Sequence, residues 1–327
     1  MSNHLFHIFL KSIATILSGR NKRSKLLILS YHRVLEQNDE LFPDIVDVNA
    51  FDNHLNILKK YFNVLKLSEA IELMSSGSLP QRSVSITFDD GYMDNIDIAL
   101  PLLMKWRLPA TFFISTGFLE TKVMWNDIVI ESIRNAREKI LDLTDLHMPV
   151  FNIETVTYKQ KALHFILQKI KYKNPSERLR AAKKIALKLN YVERKQLMMN
   201  ASGVKLLVDS GMEVGAHTVN HPILNSIGNN DSRAEIESGK CMLESIINKK
   251  VTIFAYPNGK PNSDYNRDHI NILKECNFRA AVSTAWGYAD VSNDLYQLPR
   301  IGETEHNKVK FHIRLAKSYL DKQKDNV

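Results

Sequence analysis

Short apolar runs alternate with amphipathic stretches along most of the chain. Apolar runs of four to six residues, bounded by polar or turn residues, are typical of parallel strands that are buried on both faces. Between these runs, apolar residues recur at three- and four-residue spacing, which predicts helices. The predicted strands lie at 26–30, 84–88, 111–115, 212–216, 251–255 and 280–283, and the predicted helices at 51–61, 68–74, 95–106, 232–247 and 268–276. This alternation favours an α/β barrel or a doubly wound sheet.

Residues 117–205 break this rhythm, because they are rich in Lys, Leu, Ile and Ala at helical spacing and carry few strand signals. We interpret them as a helical insertion between two barrel strands, a position from which insertions often cover an active face. The sequence then divides into an N-terminal helix with a basic linker (1–25), a barrel domain (26–307), and a C-terminal helix and tail (308–327).

Residues 4–18 predict an amphipathic helix, and a basic segment follows it. The apolar stripe consists of Leu5, Phe6, Phe9, Leu10, Ile13, Ile16 and Leu17, and the basic residues are Arg20, Lys22, Arg23 and Lys25. A secretory signal has the opposite order, with its positive charge first. Residues 4–25 therefore suit peripheral contact with an anionic membrane surface, although packing of the helix on its own domain is the alternative.

The composition of the 327 residues is that of a globular protein, with 44% hydrophobic and 24% charged residues. It excludes a disordered chain, a collagen-like fibre and a disulfide scaffold. The net charge of +8 is moderate, and no nucleic-acid-binding motif accompanies it, so we expect no nucleic-acid partner. Cys241 and Cys276 have no metal-type spacing, and no apolar run is long enough to span a bilayer. We expect a cytoplasmic protein, with the N-terminal helix as its candidate contact to the inner face of the membrane.

Two adjacent carboxylates follow the predicted strand 84–88, in the sequence Asp89-Asp90-Gly91. Neighbouring side chains on a strand point to opposite sides, so the two carboxylates need not share one task. One can bind a metal ion while the other accepts a proton. An Asx turn or a helix N-cap is the structural alternative.

Two histidines, His217 and His221, follow the predicted strand 212–216 and lie four residues apart. This spacing suits two ligands of one metal ion, although no Glu follows the first His as in the zinc-protease motif. A structural pair of histidines is again the alternative. Two imidazoles and one carboxylate, with a second carboxylate left as a base, form the pattern of a catalytic zinc site.

Thr87-Phe88-Asp89-Asp90-Gly91 and His217-Thr218-Val219-Asn220-His221 resemble the first two motifs of the polysaccharide deacetylases (NodB homology domain, carbohydrate esterase family 4). The resemblance covers roughly residues 26–302 without the insertion. It implies a deformed (β/α) barrel of seven strands that removes acetyl groups from N-acetylated sugars. It also implies that Asp89 is the general base, and that Asp90, His217 and His221 hold a divalent metal ion, usually zinc.

The segment from Phe254 to Gly259 resembles the third motif of this family. In the family, the backbone N–H of the motif Tyr helps to hold the oxyanion, which implies this role for Tyr256. Pro257 would fix the turn and take part in substrate binding. The Arg that the family places in this motif, where it orients the base, is missing here.

The family's last motif supplies a catalytic His, but Leu298-Pro299-Arg300-Ile301 contains none. In the subgroup of poly-N-acetylglucosamine deacetylases, the acid His follows the first strand after a Tyr. Leu29-Ser30-Tyr31-His32-Arg33 resembles that pattern, which implies that His32 is the general acid; a structural His at a strand end is the alternative. We also expect Trp286 to form an apolar wall for the acetyl methyl or a sugar ring, or else to pack in the core.

The expected function is metal-dependent removal of an N-acetyl group from an amino sugar, with Zn²⁺ as the expected ion. The expected substrate is a polysaccharide or a lipid-linked glycan precursor of the cell envelope. Two alternatives stay open. One is a deformylase or amidase that acts on another acylated amine. The other is a catalytically silent carbohydrate-binding barrel, which the absent Arg and His of the later motifs would support.

Overall fold

Seven parallel strands close into a barrel in the computed structural model, which describes residues 3–119, 123–192 and 196–327. The described residues contain ten strands in all: β1 (Leu26–Tyr31), β2 (Asn63–Val64), β3 (Ser83–Phe88), β4 (Thr111–Ile114), β5 (Ile140–Asp142), β6 (Val150–Asn152), β7 (Glu213–Ala216), β8 (Ile253–Ala255), β9 (Ala280–Trp286) and β10 (Leu298–Gly302). The order around the barrel is β1, β10, β9, β8, β7, β4 and β3, and β3 pairs with β1 to close it. The short β2 adds to β3. The predicted NodB-type barrel is therefore confirmed.

Helices connect the strands and form an outer layer. They are α1 (Asn3–Leu17), α2 (Val48–Tyr61), α3 (Leu67–Ser75), α4 (Leu100–Trp106), α5 (Trp125–Arg134), α6 (Val156–Lys171), α7 (Pro175–Lys188), α8 (Ala201–Asp209), α9 (Asn229–Ile247), α10 (Arg267–Glu275) and α11 (Lys308–Ser318). Where the pattern predicts one helix at 95–106, a π-helical turn over Asn95–Ala99 precedes α4.

Burial of the strands on both faces explains their continuous apolar runs. In β1, Leu26 and Ile28 belong to a cluster shared with β8 and β9, whereas Leu27 and Leu29 belong to the cluster that packs under the outer helices. Side chains alternate between the two faces of a strand, so a barrel strand that is covered by helices consists mainly of apolar side chains, with small hydroxyl residues such as Ser85 and Thr87 of β3 buried among them.

The seventh barrel strand, β10, is absent from the sequence-based prediction. Pro299 and Arg300 interrupt its apolar pattern, and a proline within a run argues against a central strand. The structure tolerates Pro299 because the register between β10 and β9 shifts between Leu298 and Arg300. The missing N–H of proline is acceptable at such an irregularity.

The predicted insertion folds around its own apolar cluster. Helices α5, α6 and α7 contribute Val129, Ile166 and Ile185 to it, and an antiparallel hairpin of β5 and β6, which the pattern did not predict, packs against them. Leu41, from the segment after β1, belongs to the same cluster. Helix α8 begins within the predicted insertion, but its apolar residues pack in the main barrel cluster.

Helix α1 packs on the domain through one face and exposes a second apolar face. Leu10 and Ala14 are buried, and the His7 ring contacts His312 of α11 over 2.8 Å between their Nδ1 atoms. The outer face exposes the large apolar side chains Leu5, Ile8, Phe9 and Ile16. None of the helices in the described ranges is long and apolar enough to cross a membrane.

Candidate active site

Two strand ends bring the predicted metal ligands together at the carboxyl edge of the barrel. Asp90 follows β3, and His217 and His221 follow β7. The Oδ1 atom of Asp90 lies 3.4 Å from Nε2 of His217 and 3.4 Å from Nε2 of His221. The ligand atoms of the three residues all lie within 4.8 Å of one another. The two sequence motifs therefore meet in one group, as the sequence predicts.

This donor set fits a divalent ion. Ligand atoms about 2.1 Å from a tetrahedral ion lie about 3.4 Å from one another, which is the separation found here between Asp90 and each histidine. Oδ1 of Asp90 is buried and has no hydrogen-bond partner in the described residues, so it is a buried acceptor that a cation would satisfy. Burial lowers the pKa of His221 to about 3, which keeps this imidazole in the neutral form that binds metals.

Backbone contacts orient the two histidines. Nδ1 of His217 lies 2.7 Å from the carbonyl oxygen of Ala255, at the end of β8, and donates its proton there. This bond leaves Nε2 free to face Asp90, the arrangement by which proteins commonly fix a histidine ligand. The backbone N–H of His221 donates to Oγ1 of Thr218 over 3.1 Å. Thr218 and His221 have positive φ values of 64° and 50°, and Asp90 has a φ of 77°. Such left-handed conformations are strained for these residues and are typical of functional sites.

Asp89 points to a different partner from Asp90. Its Oδ1 and Oδ2 atoms accept hydrogen bonds from Nη1 and Nη2 of Arg300, each over 2.7 Å. Both side chains are buried. Burial alone would raise the pKa of Asp89, but the charge and hydrogen bonds of Arg300, together with the nearby His217 and His32, outweigh it, and the net pKa is lowered. Asp89 therefore stays ionised, as a general base must be.

The expectation that this base lacks an orienting arginine is wrong. Arg300 lies in β10, far along the chain from the third motif, and it reaches across the barrel interior to Asp89. It also donates from Nε to the Ser283 carbonyl oxygen over 2.9 Å. The signal in the sequence was a charged residue among the apolar residues of this strand. It lies outside the third motif, where the family places its arginine.

A cavity of about 690 Å³ surrounds the site. Its walls include His32 after β1, Trp286 at the end of β9, and Tyr256. The three predicted metal ligands, Asp90, His217 and His221, also line it. The His32 side chain is exposed at this surface, and Trp286 is 45% exposed, so neither packs as a core residue. Nε1 of Trp286 donates to Asp321 over 3.0 Å, which fixes the ring at the rim. The acid role of His32 and the wall role of Trp286 stay predictions.

The third-motif residues differ from their predicted places. The Tyr256 side chain is buried and stacks on Tyr265, with ring centroids 3.8 Å apart. Its backbone N–H donates to the Val282 carbonyl oxygen over 3.2 Å, so this donor is already paired within the barrel. An oxyanion role for it requires that this bond be shared, and it stays a prediction. Pro257 is buried and is absent from the cavity wall, although both its chain neighbours line it.

The insertion and the segment after β1 close one side of the cavity. Asn126, Asp127 and Ile130 of α5 contribute to the wall. Arg134, at the end of α5, forms a bidentate ion pair with Asp39 over 2.8 and 2.7 Å. This ion pair joins the insertion to the segment that follows His32.

The comparisons with known proteins agree with this geometry. A family profile described as polysaccharide deacetylase matches residues 76–281, which is more than half of the chain. The chain belongs to the polysaccharide deacetylase family, and this membership supports a hydrolase that acts on N-acetyl groups. The Bacillus subtilis (strain 168) protein YxkH is 22% identical over 282 residues, covering 86% of this chain and 72% of that protein.

One further relative matches part of the sequence, and two solved structures share the fold. A poly-β-1,6-N-acetyl-D-glucosamine N-deacetylase of Staphylococcus aureus is 33% identical over 109 residues, but these cover 29% of this chain and 38% of that protein. The Streptococcus pyogenes deacetylase PplD, solved with acetate, has a TM-score of 0.62 at 21% identity, covering 89% of this chain and 98% of that one. IcaB from Ammonifex degensii has a TM-score of 0.58 at 18% identity, covering 91% and 98%. The two structures show the shared fold.

Proposed function

We propose that this protein is a metal-dependent N-deacetylase of amino sugars in a glycan. The proposal depends on the combination of two groups of residues. Asp90, His217 and His221 form a donor group for one divalent ion, and Asp89, held by Arg300, is a buried and ionised base beside it. A binding protein has no need of an ionised base next to a metal group. Because Arg300 replaces the absent motif arginine, the silent-barrel alternative loses one of its two supports.

The residues of the chain divide the reaction between them. A divalent ion held by Asp90, His217 and His221 would polarise the acetyl carbonyl and lower the pKa of water. Asp89 accepts a proton from the attacking water, and its two bonds to Arg300 keep the carboxylate oriented for this. His32 then donates a proton to the amine as the carbon–nitrogen bond breaks. Acetate and a free amino sugar are the products.

The charges in the cavity bear on the substrate. Each arginine of its wall is already paired: Arg33 with Asp94, Arg134 with Asp39, and Arg300 with Asp89. The charge of each of these guanidinium groups is therefore balanced by a carboxylate. We infer that an uncharged acetamido sugar enters the cavity. If the glycan is linked to a lipid through phosphate, that phosphate lies outside it.

The exposed apolar face of α1 supports the proposed membrane contact. Phe9 and Ile16 are 54% and 78% exposed, and the flanking residues Arg20, Lys22 and Arg23 are exposed as well. The other face of the same helix packs on the domain, which leaves the outer face accessible for the proposed membrane contact. A helix with an apolar outer face and a basic flank suits an anionic leaflet.

The experiment that tests the proposed function is acetate release from N-acetylated oligosaccharides and lipid-linked sugars. We expect release that stops when a chelator removes the metal and returns when Zn²⁺ is added. Formate released from N-formyl amines, with no acetate from any sugar, would favour the deformylase alternative. No product from any acylated amine, with metal bound, would contradict the proposal.

A further inference from the structure

The helical insertion places one buried arginine against the metal-ligand loop. Arg178, in α7, is 2% exposed. Its Nη2 atom donates to the carbonyl oxygen of Asn220 over 3.3 Å and to that of His221 over 3.2 Å. Its guanidinium carbon lies 5.2 Å from the ring centre of Trp125, which begins α5. None of the carboxylates in the described ranges forms an ion pair with it.

This arginine is costly for the insertion itself. Arg178 lies on the inner face of α7 with Ala182 and Ile185, at four- and seven-residue spacing, and both of these neighbours are buried and apolar. Burial removes water from around the guanidinium charge, and Nε of Arg178 has no hydrogen-bond partner in the described residues, so the residue carries an energetic penalty. An apolar side chain would pack here without that penalty. The stability of the insertion therefore does not explain the residue.

A carboxylate side chain also holds the loop that Arg178 contacts. Glu235 of α9 accepts hydrogen bonds from the backbone N–H groups of Val219 and Asn220, over 2.9 and 2.7 Å. Arg178 donates to the carbonyl oxygens of the same loop. The Glu235 carboxylate thus binds N–H donors of the loop, and the Arg178 guanidinium binds carbonyl acceptors of the same loop. Because Thr218 and His221 are in strained left-handed conformations, such a loop needs restraints to keep one geometry.

We propose that Arg178 is a positioning residue that holds His221 in its metal-binding place, so that the insertion completes the metal site. This inference rests on the metal site of the proposed function. Arg178 does not touch the ion's donor atoms; it acts through the His221 carbonyl and the loop backbone. The insertion then has a role besides covering the cavity, because the metal site and α7 must form together.

The test compares the Zn²⁺ affinity of full-length variants, measured by competition with a chromophoric chelator. Arg178→Met keeps a long unbranched side chain and removes the donors. We expect it to weaken Zn²⁺ binding by about 10- to 100-fold, the usual effect of losing a group that orients a ligand. Arg178→Lys, whose single ammonium can reach one of the two carbonyls, should recover part of the loss. The matched control is Arg180→Met, an exposed arginine on the same helix, which should bind as the wild type does.

A His221→Ala background separates positioning from a general structural effect. If Arg178 acts through His221, Arg178→Met should change Zn²⁺ affinity less than about twofold in that background. An equal loss in both backgrounds, or wild-type affinity for Arg178→Met, would overturn the inference. Thermal unfolding with chelator present checks that each variant is folded. Metal binding without acetate release in the wild type would contradict the proposed function alone, whereas a wild type that binds no divalent ion would overturn both.

Discussion

The ion pair between Asp89 and Arg300 gives a quantitative prediction. Both side chains are almost fully buried, at 4% and 2% exposure, and two hydrogen bonds of 2.7 Å join them. Removing one partner of such a pair leaves a buried charge without compensation, which costs about 3–5 kcal/mol. Arg300→Met should therefore lower the free energy of unfolding by that amount. Once Asp89→Asn has removed the negative charge, the same change should cost at least about 2 kcal/mol less.

Urea unfolding of the wild type, the two single variants and the double variant measures this coupling. Chelator in every sample prevents metal binding from adding to the stability of some variants. Costs that add to within about 0.5 kcal/mol would refute the account of Arg300 as the partner that compensates Asp89. The matched control is Arg279→Met, which removes an exposed ion pair with Glu72 and should change stability by less than about 1 kcal/mol.

The stability that the Asp89–Arg300 ion pair contributes depends on pH. In the wild type the folded-state pKa of Asp89 is lowered, so its pairing stabilises the protein above the unfolded-state pKa near 4. This contribution is lost as the pH falls through the folded-state value. In Arg300→Met, burial is left to raise the pKa of Asp89, so protonation favours the folded state of the variant. The stability difference between variant and wild type should shrink as the pH falls from 7 toward 4.

Three further predictions concern catalysis and membrane contact. Asp89→Asn should keep Zn²⁺ affinity and lose at least about 100-fold in acetate release, since it removes the base but no metal ligand; wild-type turnover would refute its role. His32→Ala should lower turnover by about 100-fold or more with unchanged metal content, whereas metal-free protein would make His32 a ligand instead. The double variant Phe9→Ser with Ile16→Ser should reduce co-sedimentation with phosphatidylglycerol vesicles. The control double variant, Met104→Ser with Leu206→Ser, changes exposed apolar residues elsewhere and should not. Equal binding by both double variants would rule out α1 as the membrane contact.

Local patterns predicted much of this fold. Apolar runs marked six of the seven barrel strands, because strands covered on both faces consist mainly of apolar residues. Polar residues at the ends of those strands marked the site, since the carboxyl ends of parallel strands meet at one edge. His32, Asp89, Asp90, His217 and Tyr256 all line the same cavity. Position relative to strands was thus the most informative signal.

The residues that the sequence did not reveal act over long distances along the chain. Arg300 meets Asp89 across 211 positions, and Arg178 meets His221 across 43. No periodicity connects such partners, and only the closed barrel and the packed insertion bring them together. Pro299 concealed the strand that carries Arg300, and the helical pattern of α7 made Arg178 look like one more surface charge. The structure also shows that the Tyr256 N–H is paired, which no sequence pattern could indicate.

The most direct measurement is the anomalous diffraction of a crystal grown with Zn²⁺, recorded at the zinc absorption edge. Binding by the three donors predicts one strong peak within about 2.0–2.2 Å of Oδ1 of Asp90 and of Nε2 of His217 and His221. Asp89 should remain bonded to Arg300 and make no bond to the ion. A peak bonded to Asp89 instead of Asp90, or no peak among these residues, would contradict the account.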